Sequence, residues 1–565
     1  MSLFTSIQIA KNALFAAQTG LQVTGNNIAN VNTPGFNREE VVLVPAPTQR
    51  VGNLVLGLGV EVAGIIQRAD QFLSERNRSA DSDLATAVTQ EDVYRQLESL
   101  IGELSDTDLS TSLTTFFGSI HDVLNQQESI SVRNLAVLQG DRLANDVQRL
   151  ANRVRTISND INSQIVRTTD DINRLLSEVD KLNIQIMKTE GGGTSNSDAV
   201  GLRDARGNVL AELASIIGVN AIEQSSGSVT VFAGGDFLVF DGIIREVETV
   251  VDPQTEIATI NLASTQSPLE TSAGRLNGLI TSRDVILAGF LESLDEFAAA
   301  LIFEFNKTYS SGQGLVGYDE LTSEFTVDAT DVPLDGAGLT FTPVTGSFEV
   351  MVLNKQTGLH ETTDAVIRVN LNGVDGDTTL DDLVASLNSV DGIFASITPS
   401  RGVTIRSDSS NLEFAFANDT SGVLAALGLA TFFTGTGASN IGVSQVGRDD
   451  PAKFATSRGG IGLDSDNAVL LGQFLNTALD SQNGFSIFEL YDRLAGETTQ
   501  GASVTRAIAD GFRVFQQTLE AEFLALTGVN IDEEIVRMIS FQRAYQASAR
   551  FIVTISDLLD VLVNL

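Results

Sequence analysis

The residues able to carry acid–base, nucleophilic or metal chemistry are few and poorly spaced for it. Histidine occurs twice, at His121 and His360, and cysteine is absent. That removes a thiol nucleophile, an iron–sulfur cluster and a cysteine-based zinc site. His121 lies in a helical pattern beside Asp122, where a surface position accounts for it, and no Ser-His-Asp set follows from the spacing. Gly57-Leu58-Gly59 lacks the third glycine and following helix of a dinucleotide loop. Gly191-Gly192-Gly193 lacks the Lys-Ser/Thr of a phosphate loop. Asp375-Gly376-Asp377 suggests calcium but lacks the EF-hand ligand order, and a turn leading to a helix cap at Thr379 accounts for it. With 72 Asp and Glu in the chain, carboxylate pairs arise everywhere, so none identifies general acid–base work. The expectation is no catalytic, cofactor-binding or metal-ligating residue, no cofactor and no enzymatic activity.

What the sequence does specify is apolar stripes at both ends. Leu3, Ile7, Ala10, Leu14, Ala17, Leu21 and Ile28 follow helical seam spacing, as do Phe541, Ala544, Phe551, Ile555, Leu558, Leu562 and Leu565. Such seams are buried only against another helix, whereas chain ends are usually frayed and polar. The two ends therefore suit each other, or neighbouring copies, which predicts a subunit of an assembly. Tyr545 stands one turn from Phe541 and covers neighbouring surface. Gln542, with Arg543 and Gln546, suits hydrogen bonds between subunits, and plain solvent exposure suits it as well. Asn26, Asn27, Asn30 and Asn32 read as helix-end and turn residues, and Pro34-Gly35 stops the helix. On their own, Asn30, Asn32, Pro34 and Gly35 read as a simple turn.

Composition sets the class. The 565 residues suffice for roughly three or four domains, and an apolar fraction of 42% supports real cores. A formal net charge of -37 makes nucleic acid and anionic membranes poor partners. No apolar run is long enough to insert in a bilayer. The start, Met1-Ser2-Leu3-Phe4-Thr5-Ser6-Ile7-Gln8, has no apolar core of a signal peptide. The expectation is a cytoplasmic protein, or one that leaves by a route needing no cleaved signal. A cysteine-free chain would suit unfolded passage through a narrow channel.

The expected fold is mainly α with β-rich domains: terminal coiled-coil helices, a long helical bundle shaft and an inserted outer α+β domain. The first helix is expected from about residue 2 to 23, loosened over 24–27. Asp70 caps a second helix. The longest pattern runs from Leu143 to Ile186, with a stutter at Ile157, Ile161 and Ile165. A short helix near 205–217 precedes a hairpin of 228–232 with 237–240, and a further helix covers 276 to about 306. Thr379 and Asp382 cap a short helix. Helices follow near 467–479, 485–494 and 504–526, and Asn530 with Glu533 starts the last one as a capping box. Four domains result: 1–45 with 527–565 as the terminal coiled coil, 46–190 with 446–526 as the shaft, 191–317 as its continuation, and 318–445 as the insert.

Two motifs at opposite ends carry a resemblance. Asn26-Asn27-Ile28-Ala29-Asn30-Val31-Asn32-Thr33-Pro34-Gly35-Phe36 resembles the signature of the bacterial flagellar rod, hook and hook-associated axial proteins. Gly528-Val529-Asn530-Ile531-Asp532-Glu533-Glu534, with Phe541 to Arg550, resembles the C-terminal signature of the same family. Leu202-Arg203-Asp204-Ala205-Arg206 is a further match. The resemblance implies that Asn30, Asn32, Pro34 and Gly35 form a joint from the terminal helix to the next domain. The likeness covers the termini and helical middle, and the 318–445 insert much less. It implies a structural protein of the extracellular flagellum, exported through the flagellar type III apparatus, with length and helical middle pointing to the hook–filament junction. Implied partners are further copies of itself, hook protein, the second hook-associated protein, the export apparatus and an export chaperone at the C-terminal helix. The alternatives are another axial subunit, of hook or distal rod, or a secreted enzyme or adhesin domain displayed by 318–445.

Overall fold

The computed structural model describes residues 3–51, 54–102, 109–374 and 376–563, and of residues 51, 362–364, 562 and 563 the backbone alone. Leu565, Asp375 and the side chain of Leu562, all singled out above, lie outside that description. The helices are α1 (Leu3–Ala29), α2 (Gln71–Gly102), α3 (Leu109–Asn125), α4 (Ile130–Thr189), α5 (Val200–Ile216), α6 (Arg275–Thr281) and α7 (Ala288–Ser310). They continue as α8 (Leu380–Leu387), α9 (Val423–Leu427), α10 (Gln445–Asp449), α11 (Asp466–Gln473), α12 (Ile487–Thr527) and α13 (Ile531–Val563). The chain is mainly α, with small separate sheets between the helices, as the sequence pattern predicts. It divides into two compact units.

The first unit comprises Met1–Val93, Asn159–Arg283 and Ser503–Leu565. Its stretch of α4 buries Ile161, Ile165, Ile172, Leu175, Val179, Leu182 and Ile186, the expected stripe. Three asparagines on the same helix each grip a strand backbone at two points. Asn162 takes the Ala258 N–H at 2.8 Å and donates to the Glu256 carbonyl. Asn173 pairs with both backbone groups of Val247, and Asn183 with both of Val229, at 2.8–3.0 Å. A side-chain amide thus stands in for a neighbouring strand and satisfies backbone groups that burial would otherwise orphan. The strands so held are Val247–Val251, paired with Ala258–Leu262, and Val229–Ala233 in a four-stranded sheet. That sheet runs Asn220–Glu223, Val229–Ala233, Asp236–Phe240, Ile243–Ile244. Glu39–Pro45 pairs with Val60–Gln67, and Thr48–Val51 forms a hairpin with Leu54–Gly57.

The second unit comprises Tyr94–Ser158 and Asp284–Ala502. Its core is an aromatic cluster in which Phe116, Phe305, Phe432 and Phe433 meet at centroid distances of 4.8–5.6 Å, mostly edge-on or tilted. Beside the cluster Arg133 is wholly buried. Its Nε and Nη2 donate to the Gln127 carbonyl, Nη1 to the Phe454 carbonyl and Nη2 to the Thr456 hydroxyl. Residues 318–430 hold a core of their own, built on Phe348, Val350, Phe414 and Phe416. One three-stranded sheet there has Gly346–Asn354 at its centre, the other Val403–Ser407. The Thr379–Asp382 capping box that starts α8 is present in both directions.

Three expectations need correction. α1 does not loosen at residues 24–27 but continues to Ala29, because Thr24 and Asn27 are buried and Asn27 is anchored by hydrogen bonds. The two helices expected at 485–494 and 504–526 are one, α12; residues 495–503 are helical despite two glycines, and the cost of about 1 kcal/mol per glycine is outweighed by packing. The helix expected over 276–306 is interrupted by a π-helical turn, Ser282–Leu287, where the Arg283 guanidinium reaches Asn162 and the Ala258 carbonyl.

Candidate assembly interface

α1 and α13, the two helices that bear the terminal stripes, pack on each other in the first unit. The buried face of α1 is made of small residues: Ala10, Ala16, Ala17, Gly20, Val23 and Thr24. Close approach needs them, since a β-carbon at Gly20 would stand 2.6 Å from the Phe541 ring. Leu3, Ile7, Leu14, Leu21 and Ile28 are half-buried at the flanks of this face. On α13, Ile555 is buried and Phe541 half-buried, while Gln542, Tyr545, Phe551 and Leu558 are exposed. Leu558 is 52% exposed and, on α1, Phe15 is 60% exposed. Val504, Val514 and Leu524 of α12 are open as well. Large apolar side chains on three helices are thus left without cover within one chain.

The joint is a hydrogen-bonded knot. Asn30 donates to the Asn26 carbonyl and side-chain oxygen at 3.0 Å and accepts from the Thr33 hydroxyl. Asn32 and Pro34 are exposed. The Pro34 carbonyl accepts weakly from Asn208, and Gly35 adopts φ 72°, a conformation other residues take only under strain, where a β-carbon would also displace the Asn208 amide.

The pairing that ties the joint to α13 does not follow from the sequence, although Asn27 and Glu534 both stand in the signature motifs. Arg38 and Glu534, 4% and 1% exposed, form a two-point ion pair with Nε to Oε1 at 2.8 Å. Asn27 donates to the other Glu534 oxygen at 3.2 Å and makes a two-way pair with the Glu39 backbone. The Arg38 N–H bonds the Thr527 carbonyl at the end of α12. Asn530 caps α13, accepting from Asp532 N–H at 3.0 Å, but Glu533 does not complete the expected box. Its carboxylate lies 3.3 Å from Arg38 instead.

The Leu202-Arg203-Asp204-Ala205-Arg206 segment holds the other side of the joint. Asp204 Oδ1 accepts from the Asn37 N–H, the Asn37 amide at 2.8 Å and the Gln67 amide. Arg203 bridges Glu190 and Glu223, and Arg206 reaches Asn183 and the Gly227 carbonyl. Burial pushes the Asp204 carboxyl up to about 6, aided by the Glu39 charge and opposed by the Asn37 and Gln67 hydrogen bonds. The folded state therefore binds this proton more tightly than the unfolded chain. Its stabilising effect is present below the ordinary carboxyl pKa near 4 and is lost as pH rises through about 6. Compared with an Asp204→Asn variant, the native chain should lose melting temperature between pH 4 and 6 and show a constant offset above pH 7. Parallel pH profiles for the two proteins would refute this assignment.

Among the described residues no cluster of three His, Asp or Glu could hold a metal ion, and no helix is long and apolar enough to cross a membrane.

Known proteins carry the same parts. The chain matches the flagellar hook-associated protein FlgK helical domain over 94–323, the flagellar basal body rod FlgEFG protein C-terminal model over 520–565 and the flagella basal body rod protein model over 7–37. Flagellar hook-associated protein 1 of Bacillus subtilis (strain 168) is 23% identical, covering 100% of this chain and 98% of its own length. That of Escherichia coli (strain K12) is 24% identical over 99% of both. The Salmonella typhimurium protein of the same name is 27% identical over 54% of this chain and 56% of its own. A solved flagellar hook junction protein FlgK from Burkholderia pseudomallei aligns with 79% of this chain and 99% of its own at a TM-score of 0.49 and 15% identity, too slight a likeness to build on. Both terminal signatures, the helical middle and end-to-end coverage agree: this chain is similar throughout its length to flagellar hook-associated protein 1.

Proposed function

We propose that this chain is a structural, non-catalytic subunit at the junction between flagellar hook and filament. Copies of the chain assemble there on hook protein and beneath the second hook-associated protein. The observation that carries the reading is the set of uncovered apolar side chains on α1, α12 and α13, which neighbouring subunits in a polymer would bury. The chain reaches the outside through the flagellar export apparatus, with a chaperone covering α13 until then. Residues 1–45 with 527–565 line the assembly, and 318–445 face outward.

Electron microscopy of cells lacking the protein tests the place. Hooks without filaments, with filament protein in the medium, support the junction; missing hooks move the chain to rod or hook, and normal filaments reject an axial role. A Leu558→Asp variant tests the face. Leu558 is half exposed, so the variant should keep native helicity and fail to enter flagella. Lost helicity would mark Leu558 as an internal core residue.

A further inference from the structure

The first unit contains two unpaired strand edges that complement each other. In the four-stranded sheet, Asn220–Glu223 is an edge strand paired only with Val229–Ala233. Its open side gives onto a 580 Å3 cleft whose walls include Asn37, Gln71, Phe72, Arg78, Arg206 and Ile222. Two buried polar atoms of wall residues, the Asn37 side-chain oxygen and the Arg78 Nε, have no partner among the described residues. One is an acceptor and the other a donor, the complement of a peptide N–H and C=O. Native structures rarely leave such atoms unmatched. At the mouth, Phe72 and Ile222 are 72% and 48% exposed. The second edge belongs to the hairpin of Thr48–Val51 and Leu54–Gly57, which pairs with no further strand among the described residues. The hairpin is the tip of the Glu39–Pro45 and Val60–Gln67 ribbon, joined to it by the Ala46 N–H to the Gly59 carbonyl, and among the described residues no third strand covers its outer edge. Leu54 and Val55 are both 66% exposed, apolar side chains on the strand whose outer edge is free.

We propose that the hairpin of one copy docks in this cleft of the next, laying Leu54–Gly57 along the edge strand Asn220–Glu223. The added strand supplies backbone groups to the open edge, and Leu54 and Val55 cover Phe72 and Ile222. Both atoms lie beneath the cleft wall, so a shift of the Asn37 and Arg78 side chains would bring them to the main-chain groups of the incoming strand. Hairpin and cleft are different patches, so the contact is head-to-tail and propagates from copy to copy as a ring or helical tube requires. The docking rests on the flagellar reading above and adds a contact separate from the α1–α13 pair.

The absence of cysteine makes the test clean. Val55→Cys and Ile222→Cys, combined in one chain, should on oxidation of purified flagella give a ladder of covalent dimers, trimers and higher multimers. Neither single variant should give any. The pair Leu54→Cys with Ala221→Cys repeats the test at the adjacent positions. Double variants that enter flagella yet stay monomeric on oxidation would overturn the docking. So would dimers from Val55→Cys alone, or a bond from Ile222→Cys alone to another flagellar protein. Absence of the unaltered chain from purified flagella would instead overturn the flagellar reading, which keeps the two failures apart.

Discussion

Replacing Glu534 by leucine is expected to free both chain ends at once. Arg38 would remain buried with its two-point partner gone, and only the exposed Glu533 at 3.3 Å would be left to face it. Breaking a buried pair from one side costs about 3–5 kcal/mol, a large share of the roughly 5–15 kcal/mol that holds a domain together. Glu533 offsets little of this, since exposed pairs contribute up to about 1 kcal/mol. The lost Asn27 contact loosens the end of α1, and the Arg38 side chain no longer anchors the start of α13. Hydrogen exchange of the purified chain should therefore accelerate in α1 and α13 together and stay unchanged in the second unit. Arg38→Met added to Glu534→Leu removes both charges and should recover most of the protection. An unaltered α1 in the Glu534→Leu protein would show that the pair does not couple the ends.

The second large effect is expected at Arg133. All four of its hydrogen bonds go to neutral oxygens, and burial lowers its pKa against a small opposing effect of Tyr309. Arg133→Met keeps the aliphatic stem but strands the Gln127 and Phe454 carbonyls and the Thr456 hydroxyl. At about 1–3 kcal/mol for each buried unsatisfied group, partly relieved by the vanished cost of burying a cation, the net loss should reach about 3 kcal/mol. Arg133→Lys should rescue only in part, because an ammonium cannot reproduce the planar fork. In calorimetry the transition of the second unit should fall by several degrees while that of the first holds. A single unshifted transition would contradict this.

How much was legible depended on the range of the interaction. Local signals read correctly: the Thr379 box, the 229–240 hairpin and the α4 stripe depend on neighbours within a few residues. Both signature motifs marked where the ends meet. The Arg38–Glu534 pair was invisible because its members are 496 positions apart and each alone reads as a surface charge. The Asn162, Asn173 and Asn183 clamps were missed for a related reason. An asparagine in a helix scores as a weak helix former, and nothing local says that a strand awaits it. On α1, the seam spacing took in Ala10 and Ala17 beside Leu14 and Leu21 but passed over Ala16, Gly20 and Val23, which also pack on the chain itself. A hint existed in the run Ala16, Ala17 and Gly20, whose lack of bulk on one face permits close helix contact.

That division of α1 has a genetic consequence. Its small-residue side answers to the chain's own sheet and α13, whereas its bulky side, with Phe4 and Phe15 exposed, answers to whatever surrounds the molecule. Lesions on the first side should yield revertants within the same gene, at positions such as Phe541 that can shrink to make room. Lesions on the second should yield revertants in other genes as well, because the compensating surface belongs in part to different polypeptides. A suppressor screen begun from each side would thus sort one helix into a private half and a shared half, without any structure of the assembly.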